Sequence, residues 1–100
     1  MTGVNGSVVE LIQRRRLQLL LHSCIYYEYN ESLISDEQWK DWALELEELQ
    51  KKFPHESKQA PLHEVFRGFE HSTGYHLPTK DPWIMGTARW ILRIADQYKT

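Results

Sequence analysis

The chain has 100 residues, of which 41% are hydrophobic and 26% are charged, and a chain of this length forms one packed core rather than two. The formal net charge of -2 excludes a general electrostatic attraction to nucleic acid, because the phosphate backbone is bound by basic surfaces. No apolar run of about 18 residues is present to cross a bilayer, and the polar residues 1–7 do not resemble a secretion signal. We therefore expect one cytoplasmic domain spanning residues 1–100.

A first helix is predicted to begin at Ser7, which forms the pattern of a capping box with Glu10. Residues 1–6 are then a flexible lead-in. The helix extends to about Tyr29, because apolar residues recur along one face at spacings of three and four. The residues of this face are Leu17, Leu20, Leu21, Cys24 and Ile25. Because the single cysteine belongs to this face, we expect a buried and unreactive thiol.

The first helix also carries three consecutive arginines, Arg14, Arg15 and Arg16. Consecutive positions on a helix point about 100° apart, so the three side chains do not form one flat phosphate-binding patch. We interpret the run as part of a solvated helical face.

A second helix is predicted after the polar break at residues 30–32. Ser35 and Gln38 form another capping box, and large apolar residues then recur at spacings of three and four up to Pro54, which stops a helix. These apolar residues are Trp39, Trp42, Leu46, Leu49 and Phe53. We predict that the first two helices pack as an antiparallel hairpin.

A third, short helix is predicted between Leu62 and Phe69, where apolar residues again fall on one face. The preceding residues 55–61 are polar and lack periodicity, which indicates a surface connection. The following residues 72–80 contain glycine and proline and indicate an irregular loop.

A fourth helix is predicted from the pair Asp81 and Pro82, which favours a helix start. Trp83, Trp90 and Ile94 widen its apolar surface beyond one stripe. This helix is therefore either the most buried one or is partly covered by another subunit, as in a homodimer. The predicted fold class is all-α, a small bundle of about four helices.

The sequence lacks the patterns of several enzyme classes. It has no GxSxG elbow for a nucleophile, no glycine-rich phosphate loop or dinucleotide fingerprint, and no histidine spacing typical of a zinc site. His71 and His76 flank a turn, where we interpret them as solvated polar residues rather than as a converging ligand pair. We expect a protein without catalytic residues or a metal.

Residues 26–40 read YYEYNESLISDEQWK, which is similar to the pattern YYxxDxPxISDxEYD in the N-terminal segment of NAD-dependent DNA ligases. A helix with alternating leucine and glutamate follows, and it ends near Phe53 and Pro54 as in that family. The resemblance covers residues 16–54. The ligase nucleophile is not part of it, since no lysine of this chain lies in a KxDG motif.

In those ligases the helical hairpin closes over the nicotinamide mononucleotide half of NAD. Carried over by position, the resemblance implies ligand-binding roles for Tyr26, Tyr27 and Asp36. Trp39 stands where the family has tyrosine and keeps an aromatic face. Lys40 stands where the family has aspartate, which reverses the charge. A cationic nicotinamide ring is well held by aromatic faces beside a carboxylate, so the residue types also fit this ligand on physical grounds.

The leading hypothesis is a non-enzymatic protein that binds a macromolecular partner. Lys40 reverses the charge at a position where the ligase family has an aspartate, which argues against the ligand contact of that family. Aromatic side chains are also enriched at interaction hot spots. If a phage encodes the chain, we expect it to modulate a host enzyme. The residues expected to contact the partner are Lys40, Tyr75, His76, Trp83 and Trp90.

Two alternatives remain. The first is a module that binds nicotinamide mononucleotide or NAD through Tyr26, Tyr27, Asp36 and Trp39. The second is a nucleic-acid-binding accessory protein, which requires the arginine run and Lys40 to share one surface.

Overall fold

The computed structural model describes residues 5–72 and 77–98. Within these two stretches the chain is mostly helical and has no strand, which confirms the all-α class. The helices are α1 (Gly6–Tyr29), α2 (Asp36–Lys52), α3 (Pro54–Gln59), α4 (His63–Phe66) and α5 (Pro82–Gln97). None of them combines the length and the apolar character that a membrane-spanning helix requires.

Helix α1 forms the centre of the fold and packs against α2, α3 and α5. Because it has neighbours on several sides, its buried positions extend beyond the single predicted stripe. They include Ile12, Leu19, Leu20, Leu21, Cys24 and Ile25. The Cys24 thiol is free and buried, and burial raises its pKa, with a smaller contribution from the charge of Glu28.

The start of α1 differs from the prediction. Asn5, not Ser7, is the N-cap, and its side-chain oxygen accepts hydrogen bonds from the backbone of Ser7 at 3.0 Å and Val8 at 3.4 Å. Asparagine and serine both cap helices well, so residue type alone does not distinguish the two positions. The predicted end is confirmed, because Asn30 takes the left-handed conformation (φ 54°) directly after Tyr29.

Side-chain hydrogen bonds join α1 to α2 at several points along the two helices. The Trp39 indole donates to the Ser23 hydroxyl at 3.2 Å, and the Arg15 guanidinium donates to Glu45 at 3.0 Å. Near the C-terminal end of α2, the Gln50 side chain accepts a hydrogen bond from Arg16 of α1. Ser35 caps α2 by accepting from the Gln38 amide at 3.0 Å, as the sequence predicts.

The segment after α2 was predicted to be a surface connection. It is largely exposed, but it forms the helix α3 instead of an irregular connection. Pro54 ends α2 but also occupies the first turn of α3, a position where its missing amide hydrogen costs nothing. The predicted third helix is short, since α4 covers four residues. Its end is fixed by the Gln50 side-chain amide, which donates to the Phe66 carbonyl at 3.0 Å.

Arg16 contradicts the interpretation of the arginine run as a solvated face, because its side chain is fully buried. Its guanidinium donates to Gln50, to the carbonyls of Ala60 and Pro61, and to both oxygens of Ser57, at 2.7–3.0 Å. All these acceptors are neutral. Burial lowers the pKa of Arg16 to about 10. A nucleic-acid surface that includes all three arginines is therefore not present.

Helix α5 is not the most buried helix. Ile84 and Ala88 pack into the core, whereas the side chains of Trp83 and Trp90 are 62% and 60% exposed. The α5 start is held by Asp81, which caps it as predicted.

Two consecutive residues of α1, Glu28 and Tyr29, contact the start of α5 and the residues just before it. Glu28 accepts from the Thr79 hydroxyl at 2.6 Å and from Lys80 at 2.9 Å, and the Tyr29 hydroxyl donates to the Met85 carbonyl at 2.9 Å.

We predict that Arg16→Ala lowers the free energy of unfolding by about 3 kcal/mol or more, because it leaves several buried carbonyls without donors and opens a cavity. Urea denaturation followed by circular dichroism measures the change. The matched control is Arg14→Ala, which removes an exposed arginine from the same helix and should shift stability by less than about 0.5 kcal/mol. Equal effects of the two variants would contradict the structural role of Arg16.

Candidate functional site

A cleft of about 370 Å³ lies where the C-terminal end of α1, the loop of residues 30–35 and the first turns of α2 meet. This volume falls within the range of about 300–1,000 Å³ that is typical of small-molecule sites. The predicted residues that line it are Tyr26, Tyr27, Asp36, Trp39 and Lys40. All four residues of the predicted ligand site, together with Lys40, therefore share one concave surface.

Two exposed tyrosines form one aromatic wall of the cleft. The side chains of Tyr26 and Tyr27 are 56% and 58% exposed, and their ring centroids lie 5.0 Å apart with the planes nearly perpendicular. This edge-to-face arrangement is a favoured geometry for aromatic pairs. Because the pair is open to solvent, its faces are available to a ligand.

Trp39 contributes a third aromatic surface, and its orientation is fixed. The hydrogen bond from its indole nitrogen to the buried Ser23 hydroxyl holds the ring against α1. The ring is partly buried and packs on the core. Trp39 therefore both joins the two helices and lines the cleft.

The charges of the cleft have opposite signs. Asp36 lies in the first turn of α2, where a carboxylate is stabilised by the helix dipole. Lys40 follows one helical turn later on the same side of α2. Neither residue forms an ion pair with another part of the described chain.

His71 joins the cleft from a distant part of the chain. Glu47 holds it in place, because one carboxylate oxygen accepts from both the His71 backbone amide and ring Nδ1 at 2.9 Å. Lys51 donates to the other oxygen at 3.0 Å. The hydrogen bonds from the His71 amide, the His71 ring and then Lys51 lower the pKa of Glu47 from 4.5 to about 2.

His22 and Ser23 also line the cleft and were not predicted to do so. They precede Tyr26 and Tyr27 by four residues, so the helical spacing of the tyrosines was the signal that could have found them. The His22 ring lies 5.7 Å from that of Trp42, and burial lowers its pKa. Its Nδ1 atom is buried without a hydrogen-bond partner among the described residues.

Among the predicted partner-binding residues that the structure describes, Lys40, Trp83 and Trp90 do not all line the cleft. Trp83 and Trp90 are exposed on α5 and do not line the cleft, whereas Lys40 does. Tyr75 and His76 lie outside the described residues. Within the described stretches, no group of three acidic, histidine or cysteine side chains is placed to hold a metal ion.

The lowered pKa of Glu47 predicts a pH dependence of folding. A carboxylate with a depressed pKa in the folded state contributes stability above its unfolded value of 4.5, and this contribution is lost as the pH falls toward about 2. We expect the urea midpoint of the wild type to fall more steeply over this range than that of Glu47→Gln. Glu48→Gln, at an exposed neighbouring position, is the control. Parallel curves for wild type and Glu47→Gln would show that the His71 contact is not formed.

Comparison with known proteins returned no matching family model, curated protein or solved structure. The likeness to NAD-dependent DNA ligases therefore depends on local residues alone, chiefly 26–40. What the cleft binds must be inferred from its own geometry and charge.

Proposed function

We propose that this chain is a non-enzymatic binding protein whose cleft takes a nicotinamide nucleotide, either nicotinamide mononucleotide or the corresponding half of NAD. The observation that supports this proposal most directly is the gathering of Tyr26, Tyr27, Trp39 and Asp36 around one cleft. In this proposal α1 and α2 form an antiparallel hairpin, and the ligand lies at its looped end.

The chemistry of the lining residues matches a cationic aromatic ring. The faces of tyrosine and tryptophan attract cations through their quadrupoles, by about 0.5–1 kcal/mol at exposed sites. The Asp36 carboxylate adds an opposite charge to the same cleft. A neutral aromatic ring would gain the stacking contacts but not these electrostatic ones, so the site favours the oxidised, positively charged nicotinamide.

The position of the aromatic residues also favours a bound ring over simple core packing. The side chains of Tyr26 and Tyr27 are more than half exposed, although burying an aromatic side chain is strongly favourable. Their solvent-facing surface is the area that a planar ligand would cover. Trp39 is already held by Ser23, so little side-chain entropy would be lost when the ligand binds.

We predict that Asp36→Ala weakens the binding of nicotinamide mononucleotide about three- to tenfold, since it removes the carboxylate that faces the cationic ring. Isothermal titration calorimetry at low salt measures the dissociation constant. Glu37→Ala is the matched control, because Glu37 is the neighbouring exposed acid in the same helical turn but does not line the cleft. Absence of binding to the wild type at millimolar ligand would remove the proposal.

A second candidate function is the binding of a protein partner through α5, a host enzyme if the chain is encoded by a phage. Its support is the exposure of Trp83 and Trp90 on the outer side of that helix, because tryptophan is enriched at interaction hot spots. Arg89 and Arg93 are also exposed there, which favours a partner with an acidic surface. A second copy of this chain is the other occupant to test.

We predict that the double variant Trp83→Ala, Trp90→Ala abolishes partner capture from a lysate and any self-association, because it removes the two largest exposed apolar side chains of α5. Affinity capture with mass spectrometry and analytical ultracentrifugation are the measurements. Leu44→Ala removes an exposed apolar residue from α2 and is the control. If the double variant captures the same proteins as the wild type and has the same sedimentation coefficient, α5 is not the docking surface.

A further inference from the structure

The cleft is also lined by a cationic side chain, Lys40, which the binding of a cationic nicotinamide ring does not explain. Lys40 is exposed, lines the cleft and makes no ion pair with the described residues. An unpaired ammonium beside a binding cleft attracts an anionic group. A ligand that matches both charges of the cleft therefore carries a positive ring and a negative group.

We propose that Lys40 binds the phosphate of the ligand, so that the cleft selects a phosphorylated nicotinamide nucleotide over its dephosphorylated nucleoside. This inference rests on the proposed function and names the group that gives it specificity. Asp36 and Lys40 lie four residues apart on α2, and side chains at this spacing are neighbours, with about 5–6 Å between their Cβ atoms. The pair presents opposite charges side by side to a ligand that carries both.

The lack of an ion pair between Asp36 and Lys40 supports this assignment. Acid-before-base pairs at this spacing are favourable on isolated helices, yet the two side chains are not within ion-pair distance of each other. Elsewhere on the same helix, Glu47 and Lys51 have the same spacing and order and do form an ion pair at 3.0 Å. Asp36 and Lys40 therefore keep both charges available to the cleft.

The experiment compares two ligands that differ by one phosphate, nicotinamide mononucleotide and nicotinamide riboside, by calorimetry. We expect the wild type to bind the mononucleotide about five- to tenfold more tightly, as for a charged hydrogen bond at a partly exposed site. Lys40→Ala should bring the two dissociation constants within about twofold, chiefly by weakening the binding of the mononucleotide. Lys40→Glu should make the riboside the tighter ligand. The preference should also shrink as the salt concentration rises.

The control is Lys52→Ala, at the other end of α2 and outside the cleft, which should keep the full preference of the wild type for the mononucleotide. Equal affinity of the wild type for the two ligands would overturn the role of Lys40 while leaving the proposed function in place. The same conclusion follows if Lys40→Ala weakens both ligands equally. If neither ligand binds the wild type, the proposed function and this inference both fail.

Discussion

The burial of the Arg16 guanidinium among neutral oxygens is the interaction on which the arrangement of this small protein depends. A buried cation without a carboxylate partner is costly, and here five hydrogen bonds to Gln50, Ser57, Ala60 and Pro61 offset that cost. Four of the acceptors lie in or directly after α3, and the fifth lies on α2. One side chain therefore holds α2, α3 and the two residues after α3 against the central helix α1.

This arrangement also sets the geometry of the cleft, although the cleft lies some distance away. Tyr26 follows Arg16 by ten residues, which is about 15 Å along a helix. Between them, the ring contact of His22 with Trp42 and the hydrogen bond of Ser23 with Trp39 continue the contact between α1 and α2. The two helices are fixed at one end by a buried charge and at the other by an indole. Because both ends are fixed, the aromatic wall is built on two helices that are already held together.

Features with a local cause could be predicted from the sequence. The caps at Ser35 and Asp81 and the end of α1 at Tyr29 agree with the structure, since each depends on residues within one helical turn. The first cap was predicted at Ser7 but lies at Asn5, and the two residue types have similar capping strength.

The predicted site residues on α1 and α2 were brought together because they lie on consecutive helices with a short connection. His71 could not be assigned to the cleft, since Glu47, which positions it, is 24 residues away in the sequence. The burial of Arg16 was missed for the same reason. Its acceptors are backbone carbonyls and small polar side chains about 40 positions later, and such acceptors leave no charge pattern in the sequence.

The last turn of α1 contacts both the cleft and the start of α5. Tyr26 and Tyr27 line the cleft. The next residue, Glu28, accepts hydrogen bonds from Thr79 and Lys80 just before α5, and Tyr29 donates to Met85 in the first turn of α5. Four consecutive side chains of one helical turn thus contact two different parts of the fold. Because Glu28 and Tyr29 form these hydrogen bonds, the same turn of α1 that lines the cleft also holds the start of α5 against the central helix.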